Sequence, residues 1–163
     1  MSSTTATVTR TSSKVKIFAK NILTTLILGT AVGLLSQGNE AFDALTKPAL
    51  SPPAILFPIV WSILYTLMGI SYSLLEIRGL TDDGTKLIYW LQLIFNLLWP
   101  IAFFNLGWRL FALVWIVVLD LLVVAMVVRF YRGYKPAGLL QIPYLIWALF
   151  ATYLNLGFFI LNG

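Results

Sequence analysis

Aromatic side chains recur at helical spacing in one apolar segment of the sequence. Trp61, Tyr65, Met68 and Tyr72 follow the pattern i, i+4, i+7, i+11, which places them on one face of a helix. An aromatic face inside an apolar slot can stack against a flat apolar ligand and exclude water. This segment therefore predicts one wall of a ligand pocket.

Two further segments carry faces of the same kind. One face contains Gln92, Asn96, Trp99 and Phe103, and the other contains Tyr144, Trp147, Ala151 and Leu154. Gln92 and Asn96 would be costly against lipid, so they should face the protein interior and turn Trp99 inward with them. The small side chain of Ala151 leaves space on the face that it shares with Tyr144 and Trp147. The predicted ligand-binding residues are Trp61, Tyr65, Met68, Gln92, Asn96, Trp99, Phe103, Tyr144, Trp147 and Ala151.

The depth of the six tryptophans separates two groups. Trp90 and Trp108 lie near helix ends, where anchoring at the membrane interface explains them. Trp61, Trp99, Trp115 and Trp147 lie deeper. For any one of these four, bulky packing or lipid contact explains the residue as well as a ligand does.

Asp120 is the one acidic residue deep within an apolar run. A buried acid is unfavourable unless it is paired or neutral, so it suggests a functional role by default. Because no basic residue lies at matching depth, the structural alternative is a hydrogen bond to a hydroxyl or amide of a neighbouring helix.

The sequence contains no cysteine and no histidine. Disulfides, thiolate metal sites and a cysteine nucleophile are therefore excluded, and so are the commonest general base and metal ligand. No paired acids replace them. We expect no metal site, and this residue set disfavours an ordinary hydrolase.

Composition indicates the elements that must position these residues. Apolar residues make up 60% of the chain and charged residues 10%, against roughly 25% charge in a soluble domain. Apolar runs of about 20 residues recur, and each is long enough to cross a bilayer. We predict an all-α integral membrane bundle of five transmembrane helices, near 17–36, 53–77, 85–104, 108–130 and 136–161. Residues 1–16 are expected to form a disordered tail, and residues 17–163 the membrane domain.

Three prolines precede the second predicted helix. Pro48, Pro52 and Pro53 prevent regular helix up to that point, and a proline is well placed in a first helical turn. The loop over 37–52 is the longest connection. Long loops in compact domains are often lids or binding elements.

Basic residues are distributed unequally between the two sides of the membrane. With the N-terminus inside, the inner segments hold Arg10, Lys14, Lys16, Lys20, Arg78, Lys86, Arg129, Arg132 and Lys135, whereas the outer ones hold Lys47 and Arg109. This bias predicts an N-inside, C-outside orientation. The net charge of +5 is thus an orientation signal, not a nucleic-acid footprint. Gly29 and Gly33 form a small-xxx-small motif, which suits internal packing or a dimer contact.

These motifs resemble the tryptophan-rich sensory protein/translocator protein (TspO/MBR) family. The resemblance runs from about residue 17 to the end of the chain, and its motifs are Lys47-Pro48 with Pro52-Pro53, Val60-Trp61, Leu64-Tyr65, Met68-Gly69, Asn96-Leu-Leu-Trp99, Asp120-Leu-Leu-Val and Pro143-Tyr144-Leu-Ile-Trp147.

The resemblance implies a five-helix bundle, often a homodimer, with a pocket under the first loop. It implies binding of porphyrins such as protoporphyrin IX, a sensory or regulatory role in the bacterial plasma membrane, and no required cofactor. Some bacterial members degrade porphyrin in light. Trp61 and Trp147 match the tryptophans implicated there and are the candidate catalytic residues.

Two positions depart from the family pattern. Leu50 stands where the family usually has a tryptophan, so one aromatic wall of the loop is missing. No basic residue follows Tyr153, so the sterol motif of the family is incomplete, and that motif is weak in any case.

Two other function classes remain open. A small transporter of porphyrin or other hydrophobic ligands would need a polar path through the bundle. One acid and a few amides are few polar groups for such a path. A purely structural membrane partner would need no pocket at all.

Overall fold

The structure, a computed structural model, describes residues 2–36 and 40–162. Its elements are α1 (Ser2–Leu35), α2 (Glu40–Asp43), α3 (Leu56–Glu76), α4 (Asp83–Pro100), a π-helical turn (Ile101–Asn105), α5 (Arg109–Gly133), α6 (Lys135–Leu139) and α7 (Ile142–Asn162). Five segments in this part of the chain are long and apolar enough to cross a membrane: Ser13–Leu35, Leu56–Glu76, Asp83–Asn105, Arg109–Gly133 and Lys135–Asn162. The prediction of an all-α, multi-pass membrane protein is confirmed.

Several helix boundaries differ from the predicted ones. α1 begins at Ser2, before the predicted start near residue 17, although its candidate span begins only at Ser13. The division into a disordered tail (1–16) and a membrane domain (17–163) stays a prediction. Of the predicted first loop, residues 37–39 lie outside the described residues.

Prolines account for two of the other differences. α3 begins at Leu56, not at Pro53, because Pro53 first closes a turn in which the Leu56 amide donates to the Pro53 carbonyl at 2.9 Å. The fifth span is split into α6 and α7. Pro143 has no N–H to continue the helical bonds across this break.

The third span changes its winding near its end. Pro100 lacks the N–H that would donate to the Asn96 carbonyl, and the chain continues as a π-helical turn from Ile101 to Asn105. Such turns are frequent at functional sites. Phe103 belongs to this turn and is buried.

α1 packs closely against α3. A Cβ atom on Gly69 would lie 2.5 Å from the Ile22 Cα, and one on Gly29 would overlap the Tyr65 ring. The Thr25 hydroxyl also donates to the Tyr65 carbonyl at 2.8 Å. Gly29 therefore serves internal packing, whereas a Cβ atom on Gly33 would meet nothing within 4 Å in the described chain, so that face of α1 is open.

α5 lies between α4 and α7 in the bundle. A single buried stripe packs against α4 and α7, and it consists of Ala112, Ile116, Leu119, Val123, Met126 and Phe130. Trp115 stacks on Phe95 at 4.4 Å between ring centroids, and its indole N–H donates to the Phe95 carbonyl at 2.9 Å. Packing between helices thus accounts for Trp115.

An ion pair closes the end of the bundle at which α4 begins, here called the basic end. Arg129 Nη2 lies 2.7 Å from both carboxylate oxygens of Asp82, and Asp82 also caps α4 by accepting from the Thr85 amide at 2.8 Å. The hydrogen bond from Arg129, and after it those from Thr85, hold the pKa of Asp82 well below its usual range. Gly84 leaves room for the guanidinium.

Candidate functional site

The first loop is fastened along the last part of α7. The Thr46 amide donates to Asn162 Oδ1 at 2.8 Å, and Asn162 Nδ2 donates back to the Thr46 carbonyl at 3.0 Å. The Tyr153 hydroxyl donates to the Ala49 carbonyl at 3.0 Å. Pro48 packs so closely on Gly157 that a Cβ there would lie 2.5 Å from the proline ring. We call this set of contacts the loop clamp, and it lies at the loop end of the bundle, opposite the basic end.

Aromatic rings fill the space beside the loop clamp. Phe42, from α2 in the loop, lies 4.8 Å from Phe104 and 5.3 Å from Phe158 between ring centroids. Trp99 stacks on Phe103 at 5.4 Å. These five residues are the loop-end aromatic cluster. The inward orientation predicted for Trp99 and Phe103 is correct, since both are buried.

Leu50 stays outside this cluster. Its backbone has φ 64°, a left-handed conformation that is uncommon for residues other than glycine, and its side chain is 79% exposed. The position at which the family usually carries a tryptophan therefore contributes no aromatic wall here.

A row of hydrogen bonds crosses the centre of the bundle. Tyr65 Oη donates to Asn96 Oδ1 at 2.7 Å, and Asn96 Nδ2 donates to Tyr144 Oη at 3.1 Å. Tyr144 Oη then donates to Gln92 Oε1 at 2.9 Å, and Gln92 Nε2 donates to the Tyr89 carbonyl at 3.0 Å. We call Tyr65, Asn96, Tyr144 and Gln92 the central polar chain.

The central polar chain joins α3, α4 and α7 and is buried together with Met68. Its members satisfy one another's hydrogen bonds, and none of their buried side-chain polar atoms lacks a partner in the described chain. Their predicted role as direct ligand contacts stays a prediction.

The two candidate catalytic tryptophans lie on facing helices. Trp61 stacks on Tyr65 at 5.4 Å and meets the edge of Tyr144 at 6.2 Å. Trp147 meets Phe57 at 5.8 Å. The aromatic faces of α3 and α7 therefore interlock along a seam, which we call the α3–α7 seam and define by Phe57, Trp61, Tyr144 and Trp147. Trp61 and Trp147 are each partly exposed.

Several buried polar atoms at these positions have no hydrogen-bond partner within the described chain. They are the indole nitrogens of Trp99 and Trp147 and both side-chain polar atoms of Asn155. An unsatisfied buried polar group costs about 1–3 kcal/mol, so such atoms are available to a bound molecule.

Asn155 was not among the predicted site residues. Its position was readable from the sequence, because Trp147, Ala151 and Asn155 follow one another at four-residue spacing on α7. Ala151 is buried beside it, and Asn155 itself is almost fully buried.

Asp120 is tied to the same helix. The Thr152 hydroxyl on α7 donates to Asp120 Oδ2 at 2.7 Å, whereas Asp120 Oδ1 is buried without a partner in the described chain. The hydrogen bond to a neighbouring hydroxyl, which the sequence offered as the structural alternative, is confirmed. Arg109, at the start of α5, donates to the Asn162 carbonyl at 2.9 Å. This bond joins α5 to the end of α7 at the loop end of the bundle.

Taken together, this arrangement can hold a flat apolar molecule by stacking and can offer it a few hydrogen bonds. No group of three acidic, histidine or cysteine side chains in the described part of the chain could hold a metal ion.

Comparison with known proteins agrees with this architecture. The TspO/MBR family model matches residues 21–161. The tryptophan-rich protein TspO of Chlorobaculum tepidum is 38% identical over 124 residues, which cover 74% of this chain and 78% of that protein.

Two further relatives extend the comparison. The tryptophan-rich sensory protein of Cereibacter sphaeroides is 39% identical, with 76% of this chain and 77% of that protein covered. The human translocator protein is 34% identical over 143 residues, which cover 78% of this chain and 80% of that protein. With a family model spanning five membrane helices and relatives at this level of identity, the chain belongs to the TspO/MBR family.

Proposed function

We propose that this chain is an integral membrane receptor for flat tetrapyrroles, with protoporphyrin IX as the model ligand and a sensory or regulatory role. The observation that carries the proposal is the α3–α7 seam, in which Trp61 and Trp147 lie on facing helices and Trp147 keeps an unpaired indole N–H. The names of two relatives, a sensory protein and a translocator protein, are compatible with a ligand-binding role.

The chemistry of the seam suits a porphyrin. Stacking on an aromatic face contributes roughly 0.5–1.5 kcal/mol beyond the burial of area. A porphyrin also carries carboxylates, and the free indole N–H groups of Trp99 and Trp147 and the Asn155 amide can donate to them. A ligand that both stacks and accepts hydrogen bonds would use both features of the site.

The loop clamp would act as the lid of this site. Its hydrogen bonds to Asn162 and Tyr153 are exposed, so they contribute little net free energy and can open without unfolding the bundle. A ligand would enter when residues 46–49 separate from α7, and the central polar chain would form the floor below it.

We extend the proposal to a light-dependent oxidative loss of the bound porphyrin, with dissolved dioxygen as the oxidant and Trp61 and Trp147 as the residues that take part. Both indoles are partly exposed in the α3–α7 seam, and indole is more readily oxidised than the phenyl ring of phenylalanine.

Two further features of the proposal concern assembly and orientation. We propose a homodimer, because only 17% of the α1 span is buried within one chain and the Gly33 face is open. We also propose a bacterial plasma membrane location with the N-terminus inside, on the basis of the unequal basic residues.

The second candidate function is transport of a porphyrin or another hydrophobic ligand. The observation that favours it is Asp120, an acid within a span whose Oδ1 has no partner in the described chain. Flux of protoporphyrin IX into liposomes that contain the protein distinguishes the two functions, because a receptor binds the ligand without moving it across the bilayer.

The proposed function is tested by titrating the purified protein with protoporphyrin IX, first in the dark and then in light. We expect saturable binding in the dark and loss of porphyrin absorbance in light. Trp108→Phe is the matched control, since Trp108 is exposed at a helix end and lies outside the seam. Absence of saturable binding would rule out the proposed receptor function and favour a purely structural role for the protein.

A further inference from the structure

A second cleft, of about 290 Å³, lies at the basic end of the bundle between α1, α3 and α4. It is distant from the α3–α7 seam, because Glu76 in its wall is 15 residues beyond Trp61 on α3, or roughly 22 Å along the helix axis. Its lining includes the charged side chains of Lys20, Glu76 and Lys86, together with Trp90. Nothing in the proposed porphyrin site uses this cleft.

The single carboxylate in the cleft is already neutralised. Lys20 Nζ lies 2.7 Å from Glu76 Oε1, and Asn21 Nδ2 donates to Glu76 Oε2 at 2.7 Å. Both oxygens are therefore occupied. This acid contributes little attraction for a further cation.

Lys86 gives the lining of the cleft a net positive charge. Its ion pair within the described chain joins its Nζ to Asp83 Oδ1 at 3.4 Å, and both side chains are largely exposed. Such a surface pair contributes little. The lining thus carries two ammonium groups against one carboxylate, so it favours an anion.

Two tyrosines add hydrogen-bond donors to the same lining. Tyr72 and Tyr89 stack at 4.1 Å between ring centroids, with their planes within 15°. Both line the cleft, and neither hydroxyl has a hydrogen-bond partner in the described part of the chain. An anion with several acceptor oxygens would satisfy both hydroxyls and the ammonium group of Lys86.

The cleft also lies where lipid headgroups are found. Arg78, Arg129, Arg132 and Lys135 belong to the same end of the bundle. Trp90 is 41% exposed at the rim, and tryptophan rings are enriched at headgroup level. α1 packs mainly against α3 and only lightly against α4, so the cleft lies beside a loosely packed pair of helices.

We propose that this cleft binds the phosphate of an anionic glycerophospholipid headgroup. Lys86, supported by Lys20, supplies the positive charge, the Tyr72 and Tyr89 hydroxyls donate to phosphate oxygens, and Trp90 contacts the glycerol region. Basic pockets between transmembrane helices on the positively charged side suit such headgroups. A soluble phosphate ester offers the same oxygens, but the position of the cleft at the end of membrane-spanning helices, with the exposed Trp90 in its lining, favours a ligand that is already in the membrane.

The test is native mass spectrometry of the full chain released from mixed phosphatidylglycerol and phosphatidylcholine micelles. We expect retained phosphatidylglycerol and a loss of its affinity of about fivefold in Lys86→Gln, the size of one lysine contact with an anionic surface. Tyr89→Phe keeps the ring stack and should lose about two- to tenfold. Arg132→Gln removes an equal charge at the same end, outside the cleft, and should bind as the parent does.

Three outcomes would overturn the proposal. The first is no preference for phosphatidylglycerol over phosphatidylcholine, and the second is an equal loss in Lys86→Gln and Arg132→Gln. The third is binding of glycerol 3-phosphate with the same dependence on Lys86 while phosphatidylglycerol is not retained, because the ligand would then be a soluble phosphate ester. Lys86 is exposed, so Lys86→Gln should fold, and an unchanged melting temperature checks this.

Discussion

At the scale of single residues, buried polar side chains connect the helices of this bundle. The sequence predicted that Gln92 and Asn96 face inward, because their amides are unfavourable against lipid, and both are buried. It did not predict their partners, since the hydroxyls of Tyr65 and Tyr144 come from other helices. Helical periodicity fixes the face on which a residue lies but not which neighbouring helix it meets.

Tyr144 tests the central polar chain directly. Its hydroxyl accepts from Asn96 and donates to Gln92, so Tyr144→Phe leaves two buried amides with one partner fewer. We expect a loss of about 1–3 kcal/mol in the free energy of unfolding, measured by thermal denaturation in detergent. Tyr131→Phe, at an exposed tyrosine, is the control and should change little. An equal loss of stability in both variants would contradict a structural role for the central polar chain.

Asp120 gives a second prediction at this scale. Asp120→Asn keeps an oxygen that can accept from the Thr152 hydroxyl and should be mild. Asp120→Leu removes the acceptor and should lower the free energy of unfolding by about 0.5–2 kcal/mol while porphyrin binding is retained. If Asp120→Asn instead abolishes a proton-linked flux in liposomes, the transporter becomes the better account.

At the scale of helices and loops, the five predicted spans are present but their interruptions were missed. The apolar pattern continues through residues 100–105, so hydropathy alone gives no sign of the π-helical turn. Pro100 and Pro143 were the available signals, because each lacks an N–H within an otherwise helical run. The loop clamp could not be predicted, since it pairs residues separated by more than 100 positions in sequence.

The loop clamp is tested by Asn162→Ala. This variant removes the acceptor of the Thr46 amide and one donor to its carbonyl. Hydrogen exchange at Thr46 should accelerate by at least about fivefold, the equivalent of one net hydrogen bond. Asn105→Ala is the matched control, because Asn105 donates to the Leu35 carbonyl at the same end and not to the loop. Unchanged exchange at Thr46 in Asn162→Ala would show that other contacts hold the loop.

The ion pair at the basic end predicts a pH dependence. The folded-state pKa of Asp82 is lowered, mainly by the hydrogen bond from Arg129, so its stabilising effect is fully present above the unfolded pKa of about 3.9 and is lost as the pH falls below it. The melting temperature should therefore decrease between pH 5 and pH 3. In Asp82→Asn, which keeps a capping side chain but no charge, this decrease should be smaller. Identical pH profiles would rule out this contribution.

At the scale of the whole molecule, composition alone was enough to predict the fold class. An apolar fraction of 60%, with recurring runs long enough to cross a bilayer, predicts a bundle of membrane-spanning helices. The described part of the structure has five helices of that length and composition. Orientation rests on the separate argument of unequal basic residues. A reporter fused after Gly163 should read as extracytoplasmic, and a cytoplasmic signal would contradict the proposed orientation.

We propose that the porphyrin site lies in the α3–α7 seam, and a titration of tryptophan variants tests this proposal. Protoporphyrin IX is titrated in the dark against the parent, Trp61→Phe, Trp147→Phe and the double variant, and porphyrin absorbance is then followed in light. Phenylalanine keeps a smaller aromatic face, so each single variant should lose no more than about tenfold in affinity. The light-driven loss should fall much further, and the double variant should bind weakly without it. Variants that match the parent in both binding and photochemistry would show that the porphyrin site lies outside the seam.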